Sequence, residues 1–191
     1  MNTYEKILPK DYYKIRIISP SKDRRDSIVE MIFIFLPSLL LILFVFLSQK
    51  TTAVQSLSLF LLIPSVPFYL ILHEFLHGMV YLILTGQRFK IGRNKDGFYC
   101  ILPQLFVYRK TQLLCASAPF IVFTITLLGG SIVAIINQSS LFMISSCLLA
   151  FHLFACRSDI YLMKELLKIK NARNLLICEA ENGDNIVFRR K

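Results

Sequence analysis

The sequence contains little negative charge and no paired-cysteine motif. Of its 191 residues, 12 are Asp or Glu and 22 are Lys or Arg, so the formal net charge is +10. The five cysteines are an odd number without a C-x-x-C pair, which argues against a disulfide framework. No small-residue cleavage pattern follows the first apolar run, so we expect no cleavable signal peptide. Apolar residues, in contrast, make up 55% of the chain, which is unusual for a soluble domain and typical of a membrane protein.

Four apolar runs have the length that a helix needs to cross the hydrocarbon core of a bilayer, roughly 20 residues. They cover residues 28–47, 53–85, 113–136 and, if the last helix continues past its apolar part, 141–167. The second run is longer than one crossing requires, and we expect Pro64 and Pro67 to kink it or to split off a short outer segment. These runs predict an all-α membrane protein with four transmembrane helices, a small cytosolic β-hairpin loop and short cytosolic termini.

The positive charges are distributed as the positive-inside rule requires. Lys and Arg lie before the first run, between the second and third runs, and after the fourth, with Lys50 as the exception. We therefore expect a cytosolic N-terminal segment (1–27), a four-span core (28–169) with a hairpin loop (86–112), and a cytosolic C-terminal hairpin (170–191). Because the charges flank the apolar runs instead of forming one patch, they indicate contact with anionic lipid and no nucleic-acid partner.

The three cytosolic segments each contain β-prone stretches. Residues 12–18 form one such stretch, and the loop contains two more at 88–91 and 98–102 with a turn between them. In the tail, Asn182-Gly183 supplies the positive φ angles that a tight hairpin turn requires. For the tail we favour a solvated connector.

The second run contains the sequence HEFLH, which places three ionisable side chains inside a membrane span. A charged group at the centre of a bilayer costs roughly 2.5–3.5 kcal/mol on insertion scales, so such residues generally have a partner or a function. His73 and His77 are four residues apart and lie on the same helix face, where both imidazoles can bind one metal ion. Glu74 lies one position further round, where its carboxylate can act on water. This H-E-x-x-H spacing is typical of zinc hydrolases.

A third ligand must come from elsewhere in the chain, and the fourth run offers several. Asp159 is the first choice, because a carboxylate suits zinc and its predicted depth in the membrane matches that of His77. The alternatives are His152, Cys156 and Glu165. If Asp159 is the ligand, His152 either orients the substrate, holds a developing oxyanion, or is a packed histidine bonded to a neighbouring helix.

Several segments resemble a family of small bacterial membrane proteins, the putative zincin peptidases, which are themselves similar to site-2 proteases. The similar segments are "HEFLHG" in a span, an apolar hairpin with Ala118-Pro119, the later "SDI", and the N-terminal "ILPKDYYKI". The resemblance implies an intramembrane metalloprotease with one Zn²⁺ per chain.

Transferred by position, the resemblance makes His73 and His77 ligands, Glu74 the catalytic carboxylate, and Asp159 the third ligand. Asp159 corresponds to the aspartate of the L-D-G motif, although Ser158-Asp159-Ile160 lacks the following glycine. The resemblance also suggests that an edge strand of the loop binds an extended substrate. This strand would consist of Phe98, Tyr99, Cys100, Ile101 and Leu102, unless the loop is a plain connector.

Together these features predict a zinc-dependent peptidase of the bacterial cytoplasmic membrane, with its site in the inner half of the bilayer. Its substrates would be membrane-anchored proteins or hydrophobic peptides. One alternative is a non-catalytic multi-pass protein, either a metal transporter or an accessory or immunity factor, in which the polar cluster is structural. Another is a zinc peptidase whose site lies in a cytosolic domain and whose third ligand is a glutamate such as Glu165.

Overall fold

A computed structural model describes residues 4–19, 53–94, 97–101, 105–137, 139, 141–170, 174–180 and 183–191. The elements along this part of the chain are β1 (Tyr4–Glu5), β2 (Tyr12–Ile18), α1 (Ala53–Thr85), β3 (Lys90–Asn94), β4 (Gly97–Ile101), β5 (Phe106–Tyr108), α2 (Arg109–Ile136), α3 (Leu141–Ala155), α4 (Arg157–Lys168), β6 (Leu175–Glu179) and β7 (Asn185–Arg190).

The helix α1 has the bounds of the second apolar run and continues through Pro64 and Pro67. The two prolines therefore do not split off a separate outer helix. The helix ends at Thr85, where Gly86 adopts a positive φ of 67° and its N–H bonds to the carbonyl of Leu82. A glycine ends a helix easily in this way because it has no Cβ to oppose the left-handed conformation.

The predicted fourth helix is broken. A turn at Cys156 separates α3 from α4, so that a new helix N-terminus stands just before Asp159. A carboxylate in the first turn is favoured by the positive end of the helix dipole. This local effect accounts for an aspartate at this point in an otherwise apolar region.

The prediction of an all-α protein with four transmembrane helices is wrong. In the described residues two helical segments are long and apolar enough to cross a membrane, Ile63–Thr85 and Arg109–Ile136, or three if α3 and α4 together count as one span. The run predicted at 28–47 lies outside the described residues. The same part of the chain contains two β-sheets.

The larger sheet has five antiparallel strands in the order β1-β5-β6-β7-β2. It combines the N-terminal segment, the end of the loop and the C-terminal tail. The tail forms two paired strands of this sheet, so the interpretation of the tail as a solvated connector is wrong. The smaller sheet is the predicted hairpin, β3 paired with β4. Strand pairing joins residues that are far apart in sequence, so a search for apolar runs does not detect it.

The chain forms two compact units, which we describe separately. The first comprises Met1–Asp23, Leu72–Pro119 and Ser158–Lys191. Its core contains neighbouring residues of three strands, Val107, Ile177 and Val187, which are paired in register and almost fully buried. Leu162 and Leu166 of the amphipathic helix α4 belong to the same core. Burial of each such side chain contributes about 1.5–3 kcal/mol, so this core holds helix and sheet together.

The second unit comprises Arg24–Ile71 and Phe120–Arg157. Along the described part of α2 in this unit, large apolar side chains such as Ile125 and Ile136 are mostly exposed, at 67% and 74%. An apolar surface of this kind is expected for a helix that faces lipid.

Candidate metal centre

The two histidines of the motif lie in the first unit, on one face of α1. Their side chains are buried, with 3% of His73 and 9% of His77 exposed. The imidazole rings pack edge to face with centroids 4.9 Å apart. This arrangement follows directly from the helical spacing of four residues.

Asp159 in the first turn of α4 completes a cluster with both histidines. Its Oδ2 atom lies 3.1 Å from Nε2 of His73 and 3.4 Å from Nε2 of His77. The donor atoms of the three residues all lie within 4.8 Å of one another. The structure therefore brings together the three residues that the sequence singled out as ligands.

The cluster fits a zinc ion by distance and by chemistry. Two ligands at 2.0–2.1 Å from a tetrahedral zinc are about 3.3–3.4 Å apart, close to the separations observed here. Nδ1 of His77 lies 2.8 Å from the carbonyl oxygen of Cys115 in α2. Because a carbonyl only accepts, Nδ1 must carry the proton, which leaves the Nε2 lone pair directed at the cluster.

Glu74 lies beside the cluster and contacts the β-hairpin. The charges of His73, His77 and Asp159 all act on its half-buried carboxylate, and the backbone N–H of Cys100 donates a hydrogen bond to it. The strand β4 is therefore adjacent to Glu74. Burial raises the pKa of the Cys100 thiol, which makes this side chain a poor nucleophile.

Gly78, directly after the motif, provides the space that positions this hairpin. A Cβ atom at Gly78 would clash with Cδ2 of Phe89, which shows that the Phe89 ring lies directly on the glycine backbone. The ring also packs edge to face with Phe75 on the same helix, at 6.0 Å between centroids. Phe89 immediately precedes β3. The sequence contains a signal for this contact, the glycine at the end of HEFLHG, but nothing that identifies the partner.

The predicted substrate strand corresponds to β4, with Leu102 outside the described residues. β4 pairs with β3 and with no other strand in the part of the chain that is described. Cys100 is buried and Tyr99 half-buried, with the Tyr99 ring close over Gly92 of β3. The role of these residues in substrate binding stays a prediction.

His152 lies in the second unit and is fully buried. Its Nδ1 atom is hydrogen-bonded to the hydroxyl group of Tyr69, and its Nε2 lies 3.0 Å from Oγ1 of Thr124. Cys156, the other alternative ligand in this unit, has its Sγ atom 3.4 Å from the same Nδ1. These contacts agree with a packed histidine that joins neighbouring helices, which was one of the roles considered for it.

Glu165, the remaining alternative ligand, is buried in the first unit and paired with two cations. Its carboxylate forms ion pairs with Arg16 of β2 and with Lys168 one turn further along α4. This pairing attaches the helix that carries Asp159 to the sheet.

Two further groups near the cluster were not identified from the sequence. The Tyr81 hydroxyl donates to Oε1 of Gln112 at 2.7 Å, and Nε2 of Gln112 donates to Oδ1 of Asn185 at 3.2 Å. This buried chain connects α1, α2 and β7. The second group is the carboxyl of Glu179 in β6, which interacts electrostatically with Glu74, His77 and Asp159. Both depend on contacts between distant parts of the chain, for which the sequence contains no local signal.

Comparison with known proteins gives one family. The model of the family described as "Putative zincin peptidase" matches residues 66–173, which is more than half of the chain. No curated protein and no solved structure matches the chain significantly. The matched segment contains the HEFLH motif, the hairpin and Asp159, and it ends before β6.

Proposed function

Because the chain belongs to the putative zincin peptidase family, we propose that it is a zinc-dependent, membrane-embedded peptidase. Family membership and the cluster of donor atoms support a zinc peptidase in general terms. We further propose that it cleaves membrane-anchored proteins or hydrophobic peptides near the cytosolic face of the bacterial cytoplasmic membrane. The observation that carries the proposal is the convergence of His73, His77 and Asp159 beside Glu74.

In this proposal His73, His77 and Asp159 hold one Zn²⁺ per chain. When bound, zinc supplies a Lewis acid that lowers the pKa of water and polarises a carbonyl group. The hydrogen bond from His77 to the Cys115 carbonyl keeps the imidazole in the orientation and tautomer that a ligand needs.

Glu74 acts as the general base and then as the general acid. Its carboxylate accepts a proton from the attacking water and delivers it to the nitrogen of the leaving amine. The backbone N–H of Cys100 orients the carboxylate and couples its position to the hairpin.

The hairpin provides a surface for an extended substrate. A peptide that lies along β4 as an added strand would satisfy its own backbone hydrogen bonds and place its scissile carbonyl near Glu74. The residues proposed to form this surface are Phe98, Tyr99, Cys100, Ile101 and Leu102. Such pairing requires an unwound substrate, which agrees with hydrolysis at the edge of a membrane and not within an intact helix.

The membrane location rests on the apolar helices and on the charges. The segments Ile63–Thr85 and Arg109–Ile136 are long and apolar enough to span a bilayer. The distribution of Lys and Arg supports N and C termini in the cytosol. The sheet of the first unit, which includes both terminal segments, would then lie on the cytosolic side.

The metal content of detergent-purified protein tests this proposal. We expect about one zinc per chain in the unmodified protein and in Glu74→Gln, and clear loss in Asp159→Ala. Glu165→Gln serves as the matched control, because it removes a carboxylate from the same helix and should retain zinc. Absence of zinc from the unmodified protein, even after growth in zinc-supplemented medium, would overturn the peptidase proposal in favour of a non-catalytic membrane protein.

A measurement of peptide cleavage distinguishes the role of Glu74 in catalysis from the binding of the metal ion. Zinc-loaded Glu74→Gln should fail to cleave peptides that the unmodified protein cleaves. Equal cleavage by both proteins would exclude Glu74 as the general base.

A further inference from the structure

Pro119 lies inside α2 and interrupts the hydrogen bonding of this helix at one position. A proline has no N–H, so the carbonyl group four residues earlier loses the donor that an α-helix normally supplies. In α2 that carbonyl belongs to Cys115. The ring of a helical proline also pushes against this carbonyl and turns the oxygen away from the helix axis. The carbonyl oxygen of Cys115 is therefore open to a donor from a neighbouring helix.

Water does not take the place of the missing donor, because this part of α2 is closed to solvent. Cys115 is 1% exposed, and Pro119 is also almost fully buried. A buried carbonyl without a donor raises the free energy of the fold, so nearly all such groups in proteins are paired. The donor that the structure provides is Nδ1–H of His77 in α1, with 2.8 Å between the nitrogen and the oxygen.

The same hydrogen bond determines which ring nitrogen of His77 faces the metal cluster. Because Nδ1 is bonded to the Cys115 carbonyl, Nε2 is the nitrogen that lies 3.4 Å from Oδ2 of Asp159. Loss of a partner that orients a ligand histidine in this way lowers metal affinity by about 10–100-fold. The backbone of α2 thus acts on the cluster through one carbonyl group.

A second hydrogen bond between the same two helices keeps Cys115 opposite His77. Tyr81 lies about one turn after His77 in α1. Its hydroxyl donates to Oε1 of Gln112 at 2.7 Å, and Gln112 lies about one turn before Cys115 in α2. Both side chains of this bond are buried. The bond does not involve Pro119, so α1 and α2 should stay packed when the proline is replaced.

We infer that Pro119 is a positioning residue of the metal centre, because its missing N–H leaves the Cys115 carbonyl to hold the imidazole of His77 in the orientation of a ligand. Neither Pro119 nor Cys115 belongs to the group of donor atoms that could hold the ion, so both act through His77. The effect on zinc affinity rests on the proposed function, whereas the effect on the imidazole does not.

Zinc affinity of full-length protein altered at position 119 provides the first test. Pro119→Ala restores the N–H. Replacement of Pro119 by L-lactic acid, the ester analogue of alanine, removes the ring and still leaves the position without an N–H; it is introduced by nonsense suppression during cell-free synthesis. Pro64→Ala, which restores an N–H inside α1, is the matched control. Titration with a competing chelator in detergent measures zinc affinity, and thermal unfolding measures the stability of the metal-free proteins.

We expect Pro119→Ala to lower zinc affinity by roughly tenfold or more, because the restored N–H competes with His77 for the Cys115 carbonyl. The lactic acid protein and Pro64→Ala should bind zinc as the unmodified protein does. Unaltered affinity in Pro119→Ala would overturn the inference. Equal losses in the alanine and lactic acid proteins would assign the effect to the ring and also overturn it, as would a loss of zinc accompanied by a lower melting temperature of metal-free Pro119→Ala.

Hydrogen exchange of the His77 imidazole distinguishes this inference from the proposed function, because it requires no metal. In metal-free protein labelled with ¹⁵N-histidine, the Nδ1–H signal that disappears in His77→Gln should exchange slowly with solvent, and roughly tenfold faster in Pro119→Ala. This result in a protein that binds no zinc would sustain the role of Pro119 and reject the peptidase. Zinc binding with equal exchange rates and equal affinities in the two proteins would sustain the metal site and reject the role of Pro119.

Discussion

Buried histidines occur in both units of this protein, but their nitrogen atoms have different neighbours. In the first unit, Nε2 of His73 and Nε2 of His77 both face one oxygen of Asp159. In the second unit, the two nitrogens of His152 contact the hydroxyl groups of Tyr69 and Thr124, and Nδ1 also lies 3.4 Å from Sγ of Cys156. A hydroxyl can donate or accept and so matches either nitrogen of a neutral imidazole, whereas two imidazoles and a carboxylate direct lone pairs at a common point. Burial alone therefore does not identify a metal ligand; the chemistry of the neighbouring atoms does.

The largest contrast between the units should appear on removal of one side chain from each. Asp159→Ala should reduce zinc affinity by more than ~100-fold, since even residues that only orient a ligand affect it by 10–100-fold. His152→Gln should leave zinc affinity unchanged. Titration with a competing chelator measures both. Similar losses of zinc affinity in the two variants would mean that His152 belongs to the metal site and that the contrast drawn between the two units is wrong.

Glu74→Gln separates binding from chemistry within the first unit. The variant should bind zinc normally while its rate of peptide hydrolysis falls by about 10²–10⁴-fold, the usual contribution of a general base. The measurements are zinc content and single-turnover cleavage. A parallel loss of zinc would assign Glu74 to the ligands instead.

Replacement of one glycine in each unit should have opposite effects. Gly78→Ala forces the Phe89 ring away from α1, and overpacking of this kind costs about 1–3 kcal/mol. Cleavage should fall as well, because the hairpin contacts Glu74. The matched control is Gly130→Ala in α2, where nothing lies within 4 Å of the added Cβ and the helix should gain up to ~1 kcal/mol. Thermal unfolding in detergent measures the stability of both variants, and equal melting temperatures would exclude a positioning role for Gly78.

Within the second unit, Tyr69→Phe removes the hydroxyl group from His152 and retains the ring. We expect a loss of about 1 kcal/mol in the free energy of unfolding, the net contribution of one hydrogen bond, and no change in zinc content. Denaturant titration and elemental analysis are the two measurements. A change in zinc content with unaltered stability would reverse the roles assigned to the two histidine clusters.

The smallest effect concerns the pH dependence of stability in the metal-free protein. The pKa of Glu179 rises from 4.5 to about 8 on folding, so the folded state binds more protons between these values and its stability falls as the pH rises. Glu179→Gln removes this contribution but not those of Glu74, His77 and Asp159. Between pH 5 and pH 8 the melting temperature of the unmodified protein should therefore decrease by at least ~2 °C more than that of Glu179→Gln. Identical slopes would show that folding does not raise the pKa of the Glu179 carboxyl.

Several parts of the fold could be predicted because they depend on neighbouring residues. The β-prone stretch 12–18 is β2, and α1 has the bounds of the second apolar run. Gly183 adopts the positive φ of 80° that the predicted tail turn required. The class of the fold could not be obtained in this way, because the five-stranded sheet pairs Tyr4 with Val107 and Ile17 with Ile186.

In the candidate site as well, some features could be predicted from the sequence and others could not. The sequence by itself determined that His73 and His77 lie on one face of a helix with Glu74 beside them, because helical periodicity acts over a single turn. It also made Asp159 the first choice among four potential third ligands. Only the tertiary structure brought Asp159 to within 3.1 Å of His73 across 86 residues of sequence and placed the Cys115 carbonyl against His77. Contacts over such separations depend on how helices and strands pack, and no local pattern of residues encodes them.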